Sequence, residues 1–191
     1  LYSSFSTNNR ETFSFLSVFL STSMSTRSTV YASWIDEGGI RYSVPVNSAR
    51  PQGSGSMHVS YNRPIGKERR FTFTASGNAT YSNSTSYQAK SRLSGLDIES
   101  FDYNSFMSEF WGNANGDRFY SGESGFAESR TGTVNWGLSL SLKYSIEKLD
   151  LTVGGRTSNS ISKYSLDPTA DMNTWSSNAY INAMYTPGKD W

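Results

Sequence analysis

Few side chains in this sequence have the type and spacing that catalysis or metal binding requires. His58 is the only histidine, and general acid–base chemistry needs an oriented partner that we cannot identify. Residues 113–117 faintly resemble a calcium loop but lack the later bidentate glutamate. Gly154 and Gly155 are not a phosphate loop because no helix follows them, and they predict a bulge or kink in a strand. We therefore predict no enzymatic activity, no metal site and no cofactor.

A candidate ligand site lies in residues 84–130, which we predict to be mostly loop. Aromatic and acidic side chains crowd this segment, and aromatic rings in an exposed loop can stack on a sugar or peptide. The predicted ligand-contacting residues are Phe110, Trp111, Phe119 and Tyr120. The alternative is that the loop aromatics pack on each other and order the loop. Residues 96–111 can also hold a short helix.

The elements that position these residues are predicted to be strands. Residues 131–144 alternate almost without a fault, and the apolar set is Val134, Trp136, Leu138, Leu140, Leu142 and Tyr144. Successive side chains of a strand point to opposite faces, so one face is apolar and the other polar. Aromatics near both ends with aliphatics between them are typical of a strand that crosses a bilayer. A strand half-buried in a soluble sandwich alternates as well.

Composition favours the membrane interpretation. The chain has 191 residues and a net charge of +1, which gives no electrostatic argument for nucleic acid. It contains 36 serines and no cysteine, and 15% of its residues are aromatic. Disordered chains are poor in aromatics, so disorder does not fit. A barrel with a serine-rich lumen and a lipid face made of every second residue fits both facts, and no apolar run is long enough for a transmembrane helix.

Period-2 segments recur along the chain with short turns between them. We predict turns at residues 7–10, 36–39, 64–67, 146–148 and 187–190, and we predict that residues 12–35 form a long β-rich segment. Pro45 and Pro51 predict a bulge or break in the strand that returns from the turn at 36–39. Residues 131–145 are expected to pair with 149–162, and 149–162 with 174–186.

The predicted fold is therefore all-β: an antiparallel up-and-down meander that is part of a transmembrane outer-membrane β-barrel. Residues 1–191 form one partial barrel domain of about seven strands. The short turns at 7–10, 64–67, 146–148 and 187–190 are expected to face the periplasm. The hairpin tip at 36–39, the long outer loop 84–130 and residues 164–171 are expected to face outward. Both ends of the sequence look cut, so we expect a piece of a longer protein. The aromatics predicted at the membrane interface are Tyr61, Tyr81, Trp136, Tyr144, Trp175 and Tyr185. Their alternative is ordinary core packing in a soluble sheet.

Three stretches carry a resemblance to a known family. Residues 31–48 read YASWIDEGGIRYSVPVNS, residues 64–67 read PIGK, and residues 71–83 read FTFTASGNATYSN. In this order they resemble the C-terminal barrel of Bacteroidetes outer-membrane β-barrel proteins of the TonB-dependent receptor family. The likeness covers roughly residues 1–90. The loop at 84–130 looks longer than the family pattern, and the plug and the TonB-contacting segment of such receptors are not in this stretch.

The resemblance implies that the chain is a wall segment of a nutrient transporter in the cell outer membrane. Its implied partners are outer-membrane lipid, the remaining strands and plug of the same protein, and TonB; a surface lipoprotein is a further candidate. Three alternatives stay open: a plugless porin-like channel, a soluble secreted β-sandwich binding module, and a barrel enzyme. The enzyme requires an acid or serine within hydrogen-bond distance of His58.

Overall fold

The computed structural model of the protein describes residues 1–66, 68–90, 102–111 and 125–186, and over these residues the chain is all-β apart from two short helical segments. The nine strands of the described residues are β1 (Tyr2–Asn9), β2 (Ser14–Ser25), β3 (Thr29–Ile35), β4 (Arg41–Asn47), β5 (Gln52–Ile65), β6 (Phe71–Ala89), β7 (Phe126–Ile146), β8 (Leu149–Tyr164) and β9 (Met172–Tyr185). Helix α1 spans Tyr103–Trp111, and a 3-10 turn spans Pro168–Ala170. The all-β prediction is confirmed.

Seven of the described strands form an antiparallel up-and-down sheet in the order β1-β2-β5-β6-β7-β8-β9. Strand β7 pairs with β8 from Thr131 opposite Tyr164 down to the turn, and β8 pairs with β9 along fourteen positions. Both pairings were predicted from the alternation of these segments, the first across a tight turn and the second across a medium loop, and both are confirmed. Strands β1 and β9 each pair on one side only, so within the described residues the sheet is open.

Strands β3 and β4 form a hairpin that departs from the simple meander. In the sheet, β5 lies between β2 and β6. Residues 26–28 then connect β2 to β3, and residues 48–51 connect β4 to β5. Past these connections β3 takes the place beside β6 and pairs with it in parallel at Ala32 and Ser33. The long hairpin β2–β3/β4–β5 therefore crosses over at this break. Pro45 lies inside β4, opposite Tyr31, and not at a break. Its missing N–H is tolerated because β4 is an edge strand, whereas Pro51 does lie in the crossover.

Three sequence predictions about element boundaries need correction. Residues 12–35 hold two strands, β2 and β3, so the described chain has nine strands and not about seven. The predicted loop 84–130 is shorter, because β6 continues to Ala89 and β7 begins at Phe126. The pairing of β6 with β7 continues into the predicted loop over six residue pairs, from Ser84–Thr131 to Ala89–Phe126. Helix α1 lies inside the stretch for which a short helix was predicted.

The predicted bulge at Gly154 and Gly155 is absent from the structure. Both residues keep regular register, opposite Ser141 and Leu140 on β7. Glycine is required at position 154 by residues of the two neighbouring strands. A Cβ there would meet the ring of Tyr180 on β9 at 2.6 Å and the Leu140 carbonyl on β7 at 2.9 Å. The tyrosine ring lies across the glycine, an arrangement that stabilises a strand position lacking a side chain.

Candidate functional site

Cross-strand register aligns apolar residues of neighbouring strands on one side of the sheet, which we call the apolar face. Residues opposite each other in an antiparallel pair share a face, so each row can be followed across the sheet. The row through Leu138 consists of Phe5, Val18, Val59, Gly77, Leu138, Thr157 and Ser177. The row through Leu142 includes Phe73, Val153 and Ile181, and it ends on β5 at the exposed Arg63. The face that the alternation of β7 predicts therefore extends over most of the sheet.

No described segment covers the apolar face. Leu138 and Leu140 are each 44% exposed, and Leu142 is 42% exposed. The alternate residues of the same strand are less exposed: Gly137 is buried and Ser139 is half-buried. This order is the reverse of a sheet that packs its leucines into a protein core. A large contiguous apolar surface of this kind marks a contact with a membrane or with another protein.

Aromatic rings border the apolar face at two levels. At one level, which we call the upper aromatic row, Trp136 and Trp175 meet edge to face with ring centroids 5.1 Å apart. They flank Asn159, which lies between them in register and is 3% exposed. At the lower aromatic row, the ring centroids of Phe71 and Tyr144 are 4.7 Å apart. The two rows are separated by eight residues of β7, about 27 Å along the strand or ~20 Å when it is tilted as in a barrel.

The other predicted interface aromatics lie at different levels of the apolar face. Tyr81 pairs with Val134, one row beyond Trp136, and is 51% exposed. Tyr185 pairs with Leu149, one row beyond Tyr144 on the other side, and is also exposed. Tyr61 pairs with Ala75 in the row of Leu140 and is half-buried. Tyr61 is thus in the middle of the face, whereas Tyr81 and Tyr185 are near its ends.

The opposite side of the sheet, which we call the polar face, consists mainly of small hydrophilic side chains. The row through Ser139 consists of Ser6, Ser17, Ser60, Ser76, Ser139, Arg156 and Asn178. Hydrogen bonds link the strands across this face: the Ser21 and Ser56 hydroxyl oxygens are 2.7 Å apart, and the Asn62 amide donates to the Thr74 hydroxyl at 3.1 Å. Serine side chains therefore predominate on this face, and some of them hydrogen-bond to each other across neighbouring strands.

His58 is on the polar face, between Phe19 on β2 and Asn78 on β6. Its side chain is exposed, and its ring centroid is 6.4 Å from that of Phe19. Within the described part of the chain, no carboxylate or hydroxyl group makes a hydrogen bond with His58, and no three His, Asp or Glu side chains come together as metal ligands. Residues 113–117, with the calcium-like spacing, are outside the described ranges.

A hydrophobic cluster, which we call the loop core, lies beyond the sheet where the β3–β4 hairpin, helix α1 and the extended ends of β6 and β7 meet. Its buried members are Val30, Ala32, Trp34, Val44, Val46, Tyr87, Phe106, Phe110 and Phe126. Phe110 is 1% exposed, and its ring centroid is 5.2 Å from Tyr87 and 5.3 Å from Phe126. Tyr103 of the same helix donates its hydroxyl to the Pro45 carbonyl at 3.1 Å.

The structure describes the side chain of one of the four predicted ligand-contacting residues, Phe110, and places it in the loop core. The ring of Phe110 is enclosed by other aromatic rings and offers no surface to a ligand, so for this residue the alternative of mutual packing describes the structure. Trp111 ends helix α1, and its side chain is outside the description. Phe119 and Tyr120 lie outside the described residues, so their predicted role stays a prediction.

Sequence reasoning did not identify a charged cleft on the apolar-face side of the sheet. Glu128 forms ion pairs with Arg50, at 2.9 Å between Nε and Oε1, and with Arg130. The carboxylate is 14% exposed, whereas the two arginine side chains are 54% and 52% exposed. A cleft of about 420 Å³ adjoins them, lined by Arg50, Pro51, Tyr81, Asn83, Ser84, Thr85, Arg130, Thr131 and Gly132. The one signal in the sequence was that Arg130 continues the parity of Val134.

The turn between β7 and β8 carries a second charged group. Asp150 accepts a hydrogen bond from the Ser145 hydroxyl and pairs with the Lys143 ammonium at 2.9 Å. The Ser145 hydrogen bond, followed by Lys143, lowers the pKa of Asp150 from its ordinary value of 3.8. Asp150 lies beyond the lower aromatic row, next to the turn. These contacts stabilise the hairpin end in its charged state.

Comparisons with family models, with curated proteins and with solved structures found no match to this chain. The resemblance of residues 31–48, 64–67 and 71–83 therefore stays a sequence interpretation, and arguments about function must start from the faces of the sheet. The helical residues of the described ranges do not form a segment that is long and apolar enough to cross a membrane.

Proposed function

We propose that this chain is a wall segment of a transmembrane outer-membrane β-barrel, with the apolar face toward lipid and the polar face toward the lumen. The supporting observation is the uncovered apolar face, bordered at two levels by aromatic rings. The interval of ~20–27 Å between the aromatic rows matches the apolar band of about 25 Å that transmembrane barrels present to lipid. Tryptophan and tyrosine favour the headgroup level, where the ring is half in water.

In this proposal the wall performs two physical tasks. Lipid offers no hydrogen bonds, so each backbone N–H and C=O inside the bilayer must be paired within the sheet. The long ladders of β5 to β9 do this along the whole interval between the aromatic rows. The serine-rich polar face supplies a hydrated lining. The edges of β1 and β9 need strands beyond this chain, because seven strands of one sheet cannot leave open edges in lipid.

The transporter assignment is the finer part of the proposal. It depends on the likeness of residues 31–48 and 71–83 to TonB-dependent receptors. In this structure the first stretch forms most of the β3–β4 hairpin and the second forms most of β6. In such a receptor the loop core would lie at the outer surface, above the wall, and the short turns at the periplasmic side. Nutrient uptake would then pass through a lumen lined by the polar face.

A pair of charge substitutions tests the membrane proposal. Leu140→Arg places a cation in the middle of the apolar face, and Ser139→Arg places the same cation on the polar face one residue away. In phosphatidylcholine vesicles we expect Leu140→Arg to lower the free energy of unfolding by about 2–4 kcal/mol, with a small effect of Ser139→Arg. Equal effects of the two substitutions, or a chain that folds in water without lipid or detergent, would contradict the proposal and favour the soluble binding module.

Ion conductance separates the transporter from a plugless porin-like channel. The complete protein, with whatever strands and domains flank this chain, is inserted into a planar bilayer. A barrel that contains a plug is expected to show no steady open-channel current, because the lumen is filled. A continuous current through the complete protein would instead favour the passive channel and leave the wall proposal intact.

A further inference from the structure

We propose that the charged cleft at Arg50 and Arg130 binds the phosphate of an anionic membrane lipid headgroup. The inference rests on the wall proposal above, because it requires the apolar face to contact lipid. It adds a specific binding site to a surface that would otherwise contact lipid only through apolar and aromatic side chains.

The first argument is position. Tyr81 lines the near end of the cleft and lies one row beyond Trp136 on the apolar-face side of the sheet. The cleft then extends along β6 and β7 as far as Thr85 and Arg130, which are paired in register. It therefore begins where the apolar band ends. Polar headgroups occupy this level of a bilayer, and long basic side chains reach it readily.

The second argument is charge. Arg50 and Arg130 share the single carboxylate of Glu128, so this trio keeps one positive charge. Lys163, opposite Gly132 and next to Arg130 on the neighbouring strand, is exposed on the same side. Asp171 also lies at this end of β8, but its Oδ1 accepts a hydrogen bond from the Tyr164 backbone amide. The five groups together carry a net charge of +1 beside an apolar surface.

The third argument is chemistry. A guanidinium presents several N–H donors in a plane that matches the oxygens of a phosphate. Both arginines pair with Glu128 through Nε, and among the described residues Glu128 is the one carboxylate paired with either side chain. Asn83 uses its amide oxygen to accept from the Gly53 backbone N–H, so the NH₂ group of Asn83 remains a donor for the cleft. Thr85 and Tyr81 add hydroxyl groups.

A purely structural reading of the same residues is that Arg50 pins the crossover to β7. That role exists, since the ion pair between Arg50 and Glu128 joins the crossover to β7. The neighbouring Ala49 N–H also donates to the Tyr87 hydroxyl on β6 at 3.0 Å. One arginine would be sufficient for it. The second arginine on the same carboxylate, together with Lys163, adds positive charge that the crossover does not need, next to an open cleft.

The test uses tryptophan quenching by brominated lipids. The chain, within its complete protein, is reconstituted in phosphatidylcholine vesicles, and Trp136 and Trp175 report lipid contact next to the cleft. Brominated phosphatidylcholine measures contact in general, and brominated phosphatidic acid, with its phosphomonoester, measures preference for the proposed ligand. We expect about a five-fold preference for phosphatidic acid, the effect of one net charge at a membrane surface, and a decrease with added salt.

Three variants assign the preference to the cleft. Arg130→Gln and Lys163→Gln should each reduce it, and Lys163→Gln leaves both ion pairs of Glu128 in place, so it separates binding from folding. Arg156→Gln is the matched control, because it removes the same charge from the polar face. A preference that Arg156→Gln lowers as much as Lys163→Gln does would show non-specific attraction and overturn the inference.

The remaining outcomes distinguish the two proposals. Quenching by phosphatidylcholine with no preference for phosphatidic acid overturns the headgroup site and leaves the wall proposal standing. No quenching by either lipid contradicts the wall proposal and the site together. Loss of the preference in millimolar inorganic phosphate would show a site for free phosphate and overturn the assignment to lipid; persistence of the preference supports it.

Discussion

The guanidinium carbon of Arg69 lies 3.4 Å from the centroid of the Phe13 ring. Phe13 has φ of 55° and Arg69 has φ of 53°, so both adopt the left-handed backbone conformation that non-glycine residues seldom take. Phe13 belongs to the turn between β1 and β2, and Arg69 to the turn between β5 and β6. Because β2 pairs with β5, the turns are neighbours, and this cation–π contact joins them at the end of the sheet.

Two substitutions at Arg69 separate the contact from the backbone strain. Arg69→Ala removes the cation and keeps a Cβ at positive φ, so we expect a loss of about 0.5–1 kcal/mol in the free energy of unfolding. Arg69→Gly loses the same contact but relieves the strain, and should be about 1 kcal/mol more stable than Arg69→Ala. Urea titration in vesicles measures both. An Arg69→Gly variant less stable than Arg69→Ala would show that the turn is not strained.

Gly154 and Gly155 should respond differently to the same substitution. In Gly154→Ala the new Cβ would collide with the Tyr180 ring and the Leu140 carbonyl, and the backbone contact cannot move aside easily. We expect a loss of about 1–3 kcal/mol, the usual cost of overpacking. Gly155→Ala is the control, since its Cβ would come no closer than 3.4 Å to the Asn178 carbonyl. Equal unfolding midpoints for the two variants would show that Tyr180 does not restrict this position.

Phe110→Ala should unfold the loop core and leave the sheet intact. The ring is enclosed by Tyr87, Phe106 and Phe126, and truncation of a buried phenylalanine costs about 3–5 kcal/mol. Hydrogen exchange should become faster in β3 and β4 but not in β8. Tyr31→Ala is the control, because that ring belongs to the same hairpin and is 59% exposed. Unchanged exchange in β3 after Phe110→Ala would mean that the hairpin does not depend on the helix.

The stability of the β7–β8 turn should depend on acid pH through Asp150. Its pKa in the folded state is lowered, first by the Ser145 hydrogen bond and then by Lys143. The stabilisation is therefore complete above the ordinary pKa of 3.8 and is lost as the pH falls through the lower folded value. Comparison of urea midpoints at neutral and acid pH should show this loss in the native chain and not in Asp150→Asn.

Ser145→Ala provides the complementary measurement for the same turn. It removes the largest cause of the lowered pKa and keeps the Lys143 ion pair. We expect this variant to lose most of the difference in acid sensitivity between the native chain and Asp150→Asn. A Ser145→Ala chain with the native pH dependence would assign the effect to Lys143 instead.

Local patterns in the sequence were sufficient to predict the antiparallel sheet and to distinguish its apolar face from its polar face. The alternation of residues 131–144 predicted β7, and the short turn at 146–148 predicted its pairing with β8, because side-chain direction in a strand and a tight turn are both properties of a few neighbouring residues. The hairpin tip at 36–39 was predicted for the same reason. Gly39 has φ of 84°, and Asp36 accepts the Ile40 N–H at 2.8 Å.

Tertiary structure alone decided the crossover, the loop core and the charged cleft. The crossover exists because β3 pairs with β6, some fifty-five residues away along the chain, at Ala32 opposite Tyr87. The sequence predicted Phe110 to be an exposed loop aromatic, whereas in the structure it is buried in the loop core with residues of β6 and β7. Arg50 forms an ion pair with Glu128, which is 78 positions away in the sequence. Alternation and turn-forming residues are properties of a few consecutive residues, so they can be recognised directly in the sequence. These contacts depend instead on which distant segments the sheet places next to each other.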